Sequence, residues 1–236
     1  MFGSSSPSGG VMPALLALCS RAGVTVRVPD GIESLCCGMP WKSKGFRGGH
    51  QIIASKVLPS LLAATSSGRL PVVCDAASCT EGLDDLRAET ERLGGNYRAL
   101  RFVDSLEFVH AQVVDLLPVT RPVASIVLHP TCSTERRGTT DILRDLANRI
   151  STDVVVPLDW GCCAFAGDRG LLHPELTAAA TQAEAREVNS RAFEVYASAN
   201  RTCEIGMSRA TGHEYMHIIE ALEWATRPIE HLSGHV

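Results

Sequence analysis

Two pairs of adjacent cysteines mark this sequence, Cys36-Cys37 and Cys162-Cys163; Gly38 follows the first pair and Gly161 precedes the second. Neighbouring thiols are poor material for a disulfide. Consecutive Cα atoms stand about 3.8 Å apart across a trans peptide, below the roughly 4.4–6.8 Å that a disulfide spans. Adjacent thiolates can instead ligate neighbouring irons of a cluster. Around the second pair, Cys132, Cys162, Cys163 and Cys203 form the pattern C-x29-CC-x39-C on three separate loops. Four thiolates suit a tetrahedral zinc or an iron–sulfur cluster. Around the first pair stand Cys36, Cys37, Cys74 and Cys79, and either of the last two could complete a site. Cys19 falls on the apolar face of a helix and reads as a packed core thiol.

Three other readings compete. Cysteine is often a small buried hydrophobe, but that does not explain two matched pairs. Thiol–disulfide exchange needs an exposed thiol of low pKa, and a vicinal pair lacks the geometry of C-x-x-C. A structural Cys₄ zinc is the serious rival. His129 and His173 lie near the cysteine loops, each before a proline that gives it a turn-shaping role as the alternative to ligation. Arg136, Arg137 and Arg169 are candidates to neutralise an anionic cluster, against the alternative of a solvated surface. Gly45 to Gly49 lacks the Lys-Ser/Thr of a phosphate loop, and neither G-x-G-x-x-G nor G-x-S-x-G occurs.

The 236 residues suffice for one large or two small domains. A net charge of −4 gives nucleic-acid binding no electrostatic support. No apolar run has bilayer length, and the start lacks the basic-then-apolar order of a signal peptide. Without an export signal, nine cysteines read as reduced thiols or metal ligands.

The elements that must position these thiols alternate. A helix over Met12–Arg21 leads to a strand over Val24–Val28 and the first cysteine pair. A Gly-rich loop precedes a helix over Gln51–Ala64, then a strand over Leu70–Val73 ends on Cys74. A polar helix covers Glu81–Leu93, a strand Arg98–Val103, and Asp104 caps a helix reaching Leu117. After a linker at Pro118–Pro122 come a strand over Ala124–Leu128, a helix over Thr140–Ile150 and a strand over Val154–Leu158. A helix over Pro174–Val188, a strand over Phe193–Ala197, a loop holding Cys203 and a helix over His213–Thr226 finish the chain. This is an internal repeat. Pro29 matches Pro157, Cys36 matches Cys162 and Cys74 matches Cys203, at offsets of 128, 126 and 129. The expected fold class is α/β, two similar βαβ repeats over residues 1–118 and 123–236, with parallel sheets and the cysteines on loops at strand carboxyl ends.

The spacing resembles the cysteine-rich "CCG" domains, a cysteine, then Cys-Cys-Gly, then Cys-x-x-Cys. They occur in pairs in the heterodisulfide reductase B subunit and in glycolate- and glycerol-dehydrogenase iron–sulfur subunits. Cys36-Cys37-Gly38 before Pro40-Trp41, His129-Pro130-Thr131-Cys132-Ser133, Gly161-Cys162-Cys163 and Thr202-Cys203-Glu204-Ile205-Gly206 look most like the C-terminal part of fused FAD-linked oxidases of the D-lactate and D-2-hydroxyglutarate dehydrogenase type. Ala164 stands where the family has glycine, and Gly206 where it has a closing cysteine. In those oxidases a cysteine precedes a Met-Phe-Gly-like stretch. Here the counterpart of Cys132 should lie near residues 3 to 6, where Gly3 and serines stand, so the expectation is an N-terminally truncated first repeat.

The resemblance implies an iron–sulfur electron-transfer module of a FAD-linked D-2-hydroxy-acid dehydrogenase, not catalytic alone. Cys132, Cys162, Cys163 and Cys203 would hold a 4Fe–4S cluster, of the noncubane type in some relatives, and Cys36, Cys37, Cys74 and Cys79 a metal, with zinc in one repeat as an option. FAD would belong to the full-length protein or a flavin-containing partner, and electrons would pass to a quinone, cytochrome or other acceptor. The expected location is the cytoplasm, compatible with a peripheral position at the inner face of the membrane. A zinc-stapled interaction domain without redox role is the alternative.

Overall fold

The structure is a computed structural model and describes residues 9–229. The first half contains α1 (Val11–Arg21), α2 (Met39–Ser43), α3 (Arg47–Ala64), β1 (Val72–Cys74), α4 (Ala77–Arg92), β2 (Phe102–Asp104) and α5 (Ser105–Gln112). The second contains β3 (Ile126–His129), α6 (Cys132–Arg137), α7 (Thr140–Asn148), β4 (Val154–Val155), α8 (Arg169–Leu172), α9 (Pro174–Val188), β5 (Val195–Ser198), α10 (Arg201–Thr211), β6 (Tyr215–His217) and α11 (Ile218–Ala225).

All pairings are parallel: β1 with β2 in one sheet, and the order β4-β3-β5-β6 in the other. The expected α/β fold with repeated βαβ units is what the chain forms. Every residue of β3 and of β5 is buried, as parallel strands covered on both faces must be. Ile126, Leu128, Val195 and Ala197 face a core shared with α1, α5, α7 and α11. Val127 and Tyr196 face the opposite side, against Val188 of α9 and Met207 of α10. The first half therefore buries α1 in the same core as the second half's sheet. Arg21 of α1 also pairs with Glu223 of α11 at 2.9 Å. Residues 118–122, expected as a linker, are irregular but tied down. The amides of Thr120 and Arg121 both donate to the Ala225 carbonyl.

The repeat is visible in register. Cys74 pairs with Asp104 and Ser198 with His217, and each strand-ending residue, Asp104 or His217, closes a capping box on the next helix. Ser198 is therefore the counterpart of Cys74, at an offset of 124, and the same offset takes Cys79 to Cys203 and Gly82 to Gly206. The sequence match of Cys74 to Cys203 is corrected accordingly. Two cysteines with four residues between them could both satisfy an approximate spacing, and only the strand register separates them.

Other local expectations also change. Val24–Val28 forms no strand; Val26 and Val28 are exposed. Its counterpart β4 pairs with β3, and no counterpart of β3 occurs among the described residues. Gly48 and Gly49 belong to α3 rather than to a loop, and at Gly49 a Cβ would stand 2.5 Å from the Trp41 ring, which packs against the helix there. The helix capped by Asp104 stops at Gln112 and continues as a 3₁₀ turn. Helix α10 and strand β6 were not expected: Arg201–Thr211 read as a loop, and three residues are too few to show strand alternation. The residues expected to hold the first repeat's leading cysteine, 3 to 6, lie outside the described residues.

Candidate metal centre

The second site is built where β3, β4 and β5 end. Beyond β3, Thr131 caps α6 and puts Cys132 in its first turn. Beyond β5, α10 opens with Cys203 as its third residue. Helix N-termini carry partial positive charge, which favours thiolate over thiol. The loop after β4 supplies Cys162 and Cys163. It is fastened by the Trp160 indole, which donates to the Pro130 carbonyl at 2.6 Å. Glu187 of α9 accepts from the amides of Leu158 and Asp159, both at 2.8 Å. Phe165, fully buried, packs with Cys163 and Cys203. Gly206, one turn beyond Cys203, gives the loop room: a Cβ there would meet Thr177 at 3.2 Å and Phe165 at 3.4 Å.

These constraints bring four sulfurs together in two pairs. Cys132 and Cys162 are close enough to interact electrostatically, and the sulfurs of Cys163 and Cys203 are 3.3 Å apart. Cys163 and Cys203 are buried, Cys132 is half-buried and Cys162 is exposed, so the site has a floor and a mouth. On the floor is a fifth donor. His129, at the end of β3, is fully buried, and its Nδ1 lies 2.7 Å from Glu184 Oε1 of α9. Its Nε2 has no hydrogen-bond partner. The ligand atoms of His129, Cys163 and Cys203 all lie within 4.8 Å of one another, the sole such triad among the described residues.

Electrostatics follow from this crowding. Hydrogen bonding from Cys203, together with the charge of the neighbouring His129, holds the Cys163 thiol down at about 5 against the effect of burial. Burial pushes His129 down, but Cys163 and Glu184 outweigh it and raise the imidazole to about 9. Burial first, then Cys162, pushes Cys132 up to about 12, and Cys203 is raised by Cys163 and by burial. Only part of the set is ionised without a cation, and a metal entering must displace protons. A buried, unpartnered imidazole nitrogen beside four converging thiols fits a metal.

The first site is less complete. Cys36, Cys37 and Cys79 lie near one another and interact electrostatically, with Cys79 in the first turn of α4 as Cys203 is in α10. Gly82 lies under it: a Cβ there would stand 3.3 Å from Cys37 Sγ. Cys74 is buried at the end of β1 in the cluster against which Cys37 packs; burial raises its thiol to about 12. The two sites are stitched together. Glu81, two residues after Cys79, accepts from Arg136 at 2.7 and 2.8 Å and from Ser133 at 2.9 Å. Lys44 pairs with Asp168 at 2.6 Å, and Ser78 donates to Asn200 at 3.1 Å. Arg136 is thus engaged by Glu81 while its charge also acts on Cys132. Arg137 is held by Asp84 and Glu107. His173 is exposed beside Glu175 and belongs to no cysteine site.

Residues 126–208 match the CCG family model, described as a cysteine-rich domain. Residues 126–208 are thus similar to a cysteine-rich CCG domain. The matched span runs from the first residue of β3 into α10 and includes Cys132, Cys162, Cys163, Cys203, His129 and Glu184. No curated protein matches the chain. The matched span departs from the motif name at Ala164, whose φ of 54° puts alanine in the left-handed region; the counterpart in the first pair is Gly38, at φ 80°. Among the described residues no helix is long and apolar enough to cross a membrane.

The sequence singled out all four second-site cysteines and weighed His129 against a turn-shaping role. It gave no sign of Glu184, which is 55 residues from His129 and meets it only because α9 packs behind β3.

Proposed function

We propose that this chain is the iron–sulfur electron-transfer module of a FAD-linked D-2-hydroxy-acid dehydrogenase, of the D-lactate type. It comprises two CCG-type repeats, residues 1–118 and 123–236. The observation that carries the reading is the approach of Cys132, Cys162, Cys163 and Cys203, from three segments, in two neighbouring pairs. These four would hold a 4Fe–4S cluster, which when bound supplies one-electron redox chemistry at the protein surface. The chain's own part is to hold and tune it. Phe165 and Ile205 keep water from the floor. The amide of Ala164, 3.4 Å from Cys162 Sγ, donates to sulfur, a contact that tunes reduction potential. Cys162 at the exposed mouth is the side on which a flavin-containing domain and a quinone or cytochrome acceptor would exchange electrons. In the first repeat, Cys36, Cys37 and Cys79 would hold a second metal, with Cys74 in reserve behind them.

A zinc staple without redox role is the second reading. It is favoured by the His129–Cys163–Cys203 triad. Ligands at zinc distances of about 2.0–2.3 Å stand roughly 3.5 Å apart on a tetrahedron, and the 3.3 Å between two of these sulfurs is close to that. Anaerobic purification separates the two. Iron and acid-labile sulfide with broad visible absorbance support the module; a colourless protein holding zinc supports the staple.

A further inference from the structure

We propose that His129 is a fifth ligand of the second site, bonded to the metal through Nε2 and oriented by Glu184. The inference deepens the metal-binding reading and rests on it. Three independent observations carry it. First, the imidazole is wholly buried, and its Nε2 has no hydrogen-bond partner, an expensive condition for a polar atom unless something completes it. Second, a ring nitrogen of His129 lies within 4.8 Å of the sulfurs of both Cys163 and Cys203, and Nδ1 is already engaged by Glu184. Third, Nδ1 stands 2.7 Å from a Glu184 oxygen that is equally buried. A carboxylate there accepts a hydrogen bond from Nδ1–H and leaves Nε2 as the nitrogen that can give up its proton to a metal. This is how outer carboxylates orient metal-bound histidines.

The first site lacks this arrangement, although it also has a buried histidine. His50 has Glu89 at 3.1 Å from Nδ1 and an unpartnered Nε2. That nitrogen lies against the Gly38 backbone, 3.3 Å from where a Cβ would stand, and no ligand triad forms there among the described residues. A neutral imidazole at this position carries one negative charge fewer than a thiolate there would. It therefore raises the reduction potential of a bound iron–sulfur centre.

The test uses the full chain grown with ¹⁵N-histidine and loaded anaerobically with ferrous iron and sulfide, or in parallel with Co²⁺. Pulsed electron paramagnetic resonance should show a directly bonded ¹⁵N in the parent. His129→Ala should lose it. His129→Cys, which restores a donor and guards against misfolding of the alanine variant, should bind metal without nitrogen coupling and shift the iron–sulfur potential negative. A metal-loaded parent without ¹⁵N coupling, or coupling that survives His129→Cys, overturns the inference and leaves the electron-transfer reading intact. Nitrogen-coupled Co²⁺ with no iron uptake upholds the inference and overturns the electron-transfer reading. No uptake of either metal overturns both.

Discussion

Replacing Ala164 with glycine should make the protein more stable, although the change removes a half-buried methyl group. Ala164 is held at φ 54°, directly after the second cysteine pair, whereas the first pair is followed by Gly38 at φ 80°. An L-residue with a Cβ pays about 1–2 kcal/mol for the left-handed conformation. Glycine avoids that but has a freer unfolded chain, which costs about 0.4–1 kcal/mol. The net expectation for Ala164→Gly is a gain of about 0.5–1 kcal/mol. For a chain of this length a kilocalorie moves Tm by about 2–4 °C, so the rise should be about 1–4 °C. The reciprocal change, Gly38→Ala, adds crowding to strain: its Cβ would stand 3.0 Å from His50 Cδ2 and 3.1 Å from Leu86 Cδ1. It should cost about 2 kcal/mol or more. Thermal unfolding of both variants with chelator, and again loaded with metal, is the assay. A destabilised Ala164→Gly beside an unaffected Gly38→Ala would refute the claim that the two turns share one backbone requirement.

Cys163→Ser, at the buried floor, should remove most bound metal and lower Tm, since metal binding is coupled to folding; Cys36→Ser should remove much less, because only three sulfurs meet in the first site. Metal per chain decides this, and equal losses would contradict the asymmetry. Glu81→Gln should weaken the tie to Arg136 and Ser133 by about 1 kcal/mol, an effect that shrinks with added salt; a salt-independent loss would point to packing instead. Burial raises the Asp104 carboxyl to about 6. Its folded form therefore holds a proton that the unfolded chain releases near pH 4, and stability from this group falls as pH rises from about 4 to 6. Asp104→Asn keeps the cap and abolishes that fall, so its Tm advantage over the parent should widen across this window. An advantage constant with pH would show that Asp104 is ionised throughout.

The chemistry was legible because it sits in residue identity and spacing. Two vicinal cysteine pairs at matched offsets announced both the repeat and a metal, and long runs such as Pro174–Val188 declared their helix. What depended on strand register was not legible. Cys74 directly follows the apolar run Leu70–Val73 and Cys79 stands five positions further on, and only the pairing of Cys74 with Asp104 shows that Cys79, not Cys74, is the counterpart of Cys203. Val24–Val28 has strand composition without a strand beside it. His129 needed Glu184, on a helix far along the chain, before its second nitrogen had a direction.

The most direct test of the account is the metal bound to the second site after strictly anaerobic preparation. Iron and labile sulfide should be measured per chain, with Mössbauer spectra, for the parent and Cys163→Ser. The account predicts an iron–sulfur centre in the parent that is largely lost in Cys163→Ser. Stoichiometric zinc without iron, or iron retained when Cys163 is gone, would contradict it.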